Sequence, residues 1–215
     1  MELHDFINDE FEKIVQLLLQ TKGRLVISGI GKSAIIGQKI VATLNSTGTP
    51  SIFMHAADAI HGDLGMIREE DVVMVISKSG ESPEIRVLVT LIQNLGNPLI
   101  AMVGKIPSAL SEGASHILNT TVSQEACPNN LAPTSSTTAQ MAMGDALAVC
   151  LMEAKGFTSD DFAKFHPGGA LGKKLYLRVN DLSKQNEKPA VKDSFSPTAL
   201  YRIPEFISIK FVLII

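Results

Sequence analysis

The chain has 215 residues, of which 45% are hydrophobic and 19% charged, and its 19 basic and 22 acidic side chains leave a formal charge of -3. That length is about 1.4 times a common domain of ~150 residues, so one domain with a tail is expected rather than two full ones. The composition excludes global disorder, and the near-balanced charge excludes bulk attraction to nucleic acid or to an anionic membrane. No apolar run reaches the ~18 residues a membrane helix needs, and Met1-Glu2-Leu3-His4-Asp5 does not open a signal peptide. The two cysteines, Cys127 and Cys150, make neither a disulfide framework nor a metal knuckle, and tryptophan is absent. A reduced, cytoplasmic protein without nucleic-acid or membrane partners is the expectation.

Residues 4 to about 21 predict a helix with Ile7, Phe11, Ile14, Val15 and Leu18 along its apolar stripe, ended by Gly23. Leu25-Val26-Ile27 predicts a strand, the spacing of Ile35, Ile36, Ile40, Val41 and Leu44 a helix, and Ser51 to Met54 a second strand. The apolar run Val72 to Ile76 predicts a strand covered on both faces, followed by a polar turn and a helix through Ile85, Val89 and Ile92. Pro98 to Val103 predicts a strand, His116 to Leu118 a shorter one nearer an edge, and Ser136 to Glu153 a long helix. Such alternation predicts an α/β fold, a three-layer α-β-α sandwich around a mostly parallel five-stranded sheet. Composition shifts near Asp181, so a domain over 1–182 followed by a linker and short tail over 183–215 is expected, with 206–215 too short to span a membrane.

In such sheets ligands lie beyond the carboxyl ends of the strands, where two Gly- and Ser-rich turns fall. The first, Gly29-Ile30-Gly31-Lys32-Ser33-Ala34, meets a dinucleotide-binding pattern, but the next strand ends Phe53-Met54-His55 without the acidic residue that a ribose requires. A P-loop fails as well, because Val26 stands where its first glycine belongs. Helix-start amides, Lys32 and Ser33 suit a phosphate or sugar oxygen, with a purely structural turn as the alternative. In the second turn Ser77, Ser79 and Ser82 surround Gly80 just before Pro83, so they either cradle phosphate or cap the helix. Glu81 and Glu84 are both placed to meet a sugar hydroxyl, and spacing does not rank them. Further polar groups gather at His55, His61, Glu125, the Thr134-Ser135-Ser136-Thr137-Thr138 run and His166-Pro167-Gly168-Gly169. Histidine spacing supplies no H-E-x-x-H zinc arrangement, and Cys127 has no histidine partner nearby in the sequence.

Taken together, Ser28-Gly29-Ile30-Gly31-Lys32-Ser33, His61-Gly62-Asp63-Leu64-Gly65, Ser77-Lys78-Ser79-Gly80-Glu81-Ser82, Glu125-Ala126-Cys127-Pro128, Ala132-Pro133-Thr134-Ser135-Ser136-Thr137-Thr138 and His166-Pro167-Gly168-Gly169-Ala170-Leu171-Gly172 resemble the arabinose-5-phosphate isomerase family, part of the sugar isomerase (SIS) domain superfamily. The resemblance covers roughly residues 5–182 and implies interconversion of D-ribulose 5-phosphate and D-arabinose 5-phosphate, serving 3-deoxy-D-manno-octulosonate synthesis for lipopolysaccharide or capsule. It implies a catalytic group of Lys32, Glu84, Glu125 and His166, and sugar-phosphate contacts from Gly31, Ser33, His61, Ser77, Ser79, Ser82, Thr134 and Ser135. No cofactor or required metal is implied, although His61 and His166 offer an adventitious or inhibitory metal position. A homotetramer with sites near subunit interfaces is implied, with His61 or His166 supplied by a neighbour. Three departures stand out: the tail over 183–215 holds no complete CBS module, the N-terminal region is shorter than usual for the family, and Lys78 stands where relatives often have asparagine. In the reaction so implied, Glu125 is the preferred base at C1 and C2, His166 assists ring opening or relays a proton, Lys32 meets oxyanion or phosphate charge, and Glu84 orients hydroxyls or shares the base's work. A noncatalytic sugar-phosphate sensor and an isomerase of another sugar phosphate are the alternatives.

Overall fold

The computed structural model describes residues 3–169 with 172 and 173, all within one compact unit over Met1–Leu175. The expected domain end at 182, the linker and the apolar segment 206–215 lie outside the described residues. After a 3-10 turn at Leu3–Phe6, helix α1 (Asp9–Gln20) starts where the Asn8 side chain accepts the amides of Glu10 and Phe11, at 3.0 and 3.4 Å. This cap divides the predicted first helix in two. Phe11, Ile14, Val15 and Leu18 face inward as expected, whereas Ile7, in the break between the two pieces, is 52% exposed.

Strands β1 (Leu25–Gly29), β2 (Ser51–His55), β3 (Val72–Ser77), β4 (Leu99–Val103) and β5 (His116–Asn119) form one sheet in the order β2-β1-β3-β4-β5. Every neighbouring pair is parallel, with Leu25 opposite both Ser51 and Val72, and β5 at an edge. The three central strands are buried at every position, as parallel sheets covered on both faces require. Alternation sorts their side chains: Leu25, Ile27, Met74, Ile76, Ile100 and Met102 pack in one core with α1, α2 (Lys32–Ser46) and α6 (Ser135–Ala154). Val26, Val73, Val75, Ala101 and Val103 pack in the other with α3 (Ala56–Ala59), α4 (Pro83–Leu95) and α5 (Ala109–Gly113). A last helix, α7 (Ser159–Phe165), follows α6. The three short helices α3, α5 and α7 lie outside the predicted elements. Capping boxes at Ser108 and Thr158 define the starts of α5 and α7.

The amino-terminal edge is fixed by one carboxylate. Asp71, 1% exposed, accepts the Arg24 amide and an Arg24 Nη2 bond, both at 2.7 Å, and the Arg68 amide at 3.0 Å. Asn97 Nδ2 donates to the backbone oxygens of Asp71 and Arg68, each at 2.8 Å. Residues entering β1, β3 and β4 are thereby joined. Burial alone would push the Asp71 carboxyl up, but the Arg24 guanidinium and the Arg24 and Arg68 amides outweigh it and hold it below its ordinary value. Asp71→Ala therefore leaves the Arg24 guanidinium without its counter-ion and is expected to cost about 3 kcal/mol in urea unfolding at neutral pH. Because the folded value is depressed, that contribution is full above the unfolded-chain value near 3.9 and fades as pH falls through the folded one. The deficit of the variant should shrink in acid.

Candidate active site

Sheet order reverses between β1 and β3, since the chain goes on from β1 to β2 on one side and from β3 to β4 on the other. Open α/β sheets bind their ligands at such a reversal, in a crevice beyond the carboxyl ends, and here those ends are Gly29 and Ile76. Two helix starts flank them. Helix α2 begins at Lys32 after Gly31, whose φ of 58° is a left-handed conformation that favours glycine, and no side chain caps it. Helix α4 begins at Pro83 after Ser82, also without a side-chain cap. Both helices therefore direct uncapped amides and the positive end of a macrodipole at the crevice.

The serine turn is built tightly. Ser77 Oγ accepts the Gly80 amide at 3.0 Å, and Ser79 Oγ accepts the Glu81 amide at 3.3 Å. Both hydroxyls are acceptors there, so their own hydrogens remain to be donated. Gly80 takes φ 68°, and a Cβ on it would lie 2.3 Å from Ser108 Oγ, so a side chain is excluded twice over. The buried hydroxyls of Ser28, Ser82 and Thr120 make no hydrogen bond among the described residues. Ser82 does not cap α4, which leaves its hydroxyl and the helix amides together at the turn.

Geometry separates the two glutamates that spacing left unranked. Glu81 pairs with the Arg86 guanidinium and accepts the Ala109 amide at 3.0 Å, bracing the start of α5. Glu84 sits half-buried in the first turn of α4, without a hydrogen bond or ion pair among the described residues. Lys32 is exposed and likewise uncommitted among them. Ser33 donates to Gln140 Oε1 at 3.3 Å, tying α2 to α6.

Glu125 has a side chain with no exposure. Its Oε2 accepts the Thr134 and Ser136 amides at 2.7 and 3.1 Å, and its Oε1 accepts the Ser136 hydroxyl at 2.5 Å and lies 2.6 Å from Lys78 Nζ. The carboxylate thus caps α6 and joins it to the serine turn. Burial alone would push this carboxyl up, but the Lys78 ammonium, the Ser136 hydroxyl and the two amides outweigh it and hold it far below the usual carboxylate range. Its own amide donates to Asn130 Oδ1 at 2.7 Å. Cys127 Sγ accepts the amides of Ala132 and Leu131, both at 3.1 Å, which hold its thiol below its usual value and shape the same loop. Thr134 accepts the Ala126 amide at 2.9 Å, while Ser135 lines a cavity of about 430 Å³ with Leu3, Ala126, Thr138, Ala139 and Ala142. Sequence reasoning missed Gln140 and the roles of Lys78 and Ser136. Only the unusual charge of Lys78 beside the turn signalled any of them.

His61 is exposed in the segment after β2 and α3. His166 is placed otherwise. Helix α6 starts beside Glu125 and runs about 30 Å at 1.5 Å per residue to the opposite edge, where Lys155 Nζ donates to Thr49 Oγ1 at 2.8 Å just before β2. Phe157 abuts Gly48 there and stacks on Phe165 at 5.9 Å. His166 follows, its Nδ1 2.8 Å from the Phe162 oxygen and its ring 3.8 Å from that of Phe162. Lys32, Glu84 and Glu125 therefore share the carboxyl edge, and His166 of the same chain does not reach it. No three His, Cys, Asp or Glu side chains among the described residues are grouped to hold a metal ion.

The profile of the SIS domain matches residues 17–150, which hold the whole sheet and most of α6. This chain belongs to the SIS-domain family. Arabinose 5-phosphate isomerase KdsD of Pseudomonas aeruginosa is 55% identical over 181 residues, covering 84% of this chain and 56% of that protein. KdsD of Escherichia coli K12 is 50% identical over 196 residues, covering 91% and 60%. This SIS-domain chain thus spans little more than half the length of these curated relatives. Among solved structures, E. coli CFT073 c3406 in complex with arabinose 5-phosphate superposes with a TM-score of 0.73 at 40% identity, covering 77% of this chain and 89% of that one.

Glu125→Gln tests the capping role of the carboxylate. Loss of its charge-assisted bonds is expected to cost about 2 kcal/mol at neutral pH by urea unfolding. The folded carboxyl is depressed, so its contribution is full above the unfolded value near 4.3 and lost as pH falls through the folded one. Acidification should therefore bring the variant and the parent together.

Proposed function

We propose that the chain is an aldose-ketose isomerase interconverting D-arabinose 5-phosphate and D-ribulose 5-phosphate. The observation that carries this reading is the carboxyl edge at the sheet reversal: two uncapped helix starts, the Ser77, Ser79 and Ser82 hydroxyls and the uncommitted Lys32 and Glu84 all fall there, and Lys78 joins the serine turn to buried Glu125. Hydroxyls and amides suit a phosphate that must bind and leave, since they hold it without an arginine fork. Similarity to proteins named arabinose 5-phosphate isomerase, and to a structure holding arabinose 5-phosphate, supports the choice of substrate.

In this reading Ser77, Ser79 and Ser82 hold the phosphate, while Gly31, Ser33, His61, Thr134 and Ser135 border the sugar. Glu125 removes the C2 proton of the open aldose, and the electron pair forms the C1–C2 double bond of an enediolate as the carbonyl oxygen becomes an oxyanion. Lys32 stabilises that charge, and Glu84 orients the hydroxyls. Return of the proton to C1, with a proton moved from O2 to O1, gives the ketose. No electron leaves the substrate, so the reading requires no redox cofactor. His166, kept from the site of its own chain by the length of α6, enters from a neighbouring subunit of a homotetramer to assist ring opening. A cytoplasmic place in 3-deoxy-D-manno-octulosonate supply belongs to the same reading.

The test is turnover of D-arabinose 5-phosphate, with ribose 5-phosphate and glucose 6-phosphate alongside. Arabinose 5-phosphate should be preferred, and Glu125→Gln should lower kcat by about 10²–10⁴-fold, the span of general acid–base contributions. Saturable binding by folded protein without turnover would make it a sensor instead. A complementation assay addresses His166. Glu125→Gln and His166→Asn are each expected to be nearly inactive, whereas co-expression should restore turnover, because hybrid assemblies rebuild intact sites. Absence of recovery in hybrids of proven composition would return His166 to a purely structural role.

A further inference from the structure

Among the described residues, every partner of the Glu125 carboxylate but one is anchored. Thr134 and Ser136 offer amides of the α6 start, and the Thr134 hydroxyl and the Ser136 hydroxyl, the latter on a residue 2% exposed, are fixed by the same helix start. Lys78 differs. It sits in the serine turn between Ser77 and Ser79, its side chain is 46% exposed, and its ammonium reaches the buried carboxylate at 2.6 Å along a flexible stem. The Cys127 thiol is the further ionisable group close to this pair, and the Glu125 charge opposes its ionisation. An ammonium so placed lies within a side chain's reach of any anion held by the serines that flank it.

We propose that Lys78 is a positioning residue that couples phosphate occupancy of the serine turn to release of the Glu125 carboxylate. This rests on reading Glu125 as the base and the turn as the phosphate site. A bound phosphate anion competes with the carboxylate for the same ammonium. When Lys78 swings to it, Glu125 keeps both amides and the Ser136 hydroxyl, so it loses its counter-ion but not its position. A buried carboxylate without its counter-ion binds a proton more tightly. The released carboxylate is a stronger base than one clamped by Lys78, which moves it toward the proton affinity that general-base catalysis needs. Ligand-free protein thus keeps its base inactive, and the phosphate end of the substrate switches it on.

The experiment is a pH titration of Glu125 by 13C NMR of the full chain labelled at glutamate carboxyls, with and without saturating inorganic phosphate. Glu125→Gln assigns the resonance, and phosphate binding is followed by 31P line broadening. Phosphate should raise the proton affinity of Glu125 by about tenfold or more, one pKa unit. Lys78→Met should show the raised affinity in both conditions, and Lys78→Arg should retain the phosphate response. A purely structural lysine would alter thermal stability without making the titration phosphate-dependent. Phosphate that fails to bind, or binds while the parental titration stays fixed, overturns the coupling. Turnover of arabinose 5-phosphate, measured separately, keeps the readings apart: a phosphate-driven shift without turnover removes the isomerase but leaves the coupling, and turnover without a shift does the reverse.

Discussion

A carboxylate with no exposed surface survives in a protein only if its lone pairs are committed, and Glu125 commits them to two chain segments at once. Its bonds to Thr134 and Ser136 supply the amide partners that the first turn of α6 lacks, and its contact with Lys78 ties that helix start to the turn after β3. Everything at the carboxyl edge is referenced to this group. The loop before α6 folds back around Asn130 and the Cys127 sulfur to deliver it, and α6 then packs along α2, where Ser33 meets Gln140.

Against that fixed point the crevice at the β1–β3 reversal is left incomplete in hydrogen bonds. The starts of α2 and α4 carry no side-chain cap, although α1, α5 and α7 all do. Capping contributes about 1 kcal/mol per helix, so leaving two starts uncapped at one place costs stability and favours an anion there. The family fold supplies the sheet reversal; the proposed chemistry there rests on the serines, Lys32 and Glu84.

The opposite edge obeys a different constraint. Asp71 and Asn97 lock the entries of the central strands, and the long α6 carries the chain back to them before α7 begins. Helix length therefore separates His166 from Glu125 within one chain. An active site that uses both is obliged to be assembled from two subunits, which makes assembly a condition of activity in the proposed reaction.

The sheet was legible in the chain because apolar runs such as Val72 to Ile76 have no exposed face to encode, and the glycine and serine turns marked its carboxyl ends. The family was legible from the same turns joined to the Glu125 and His166 motifs. Three short helices were not, since four to seven residues give too little periodicity and depend on local caps. Ile7 followed the apolar stripe in sequence but fell at the break made by Asn8. Residue types and order by themselves determined the layers, the sheet and the edge where the proposed chemistry lies, because hydrophobic period and turn chemistry are local properties. Only the tertiary structure decided that Glu81 braces α5 while Glu84 stays uncommitted, that Lys78 holds Glu125, and that His166 lies at the far edge. Those outcomes are distances between segments remote in the chain, and packing of α6 against the sheet fixes them.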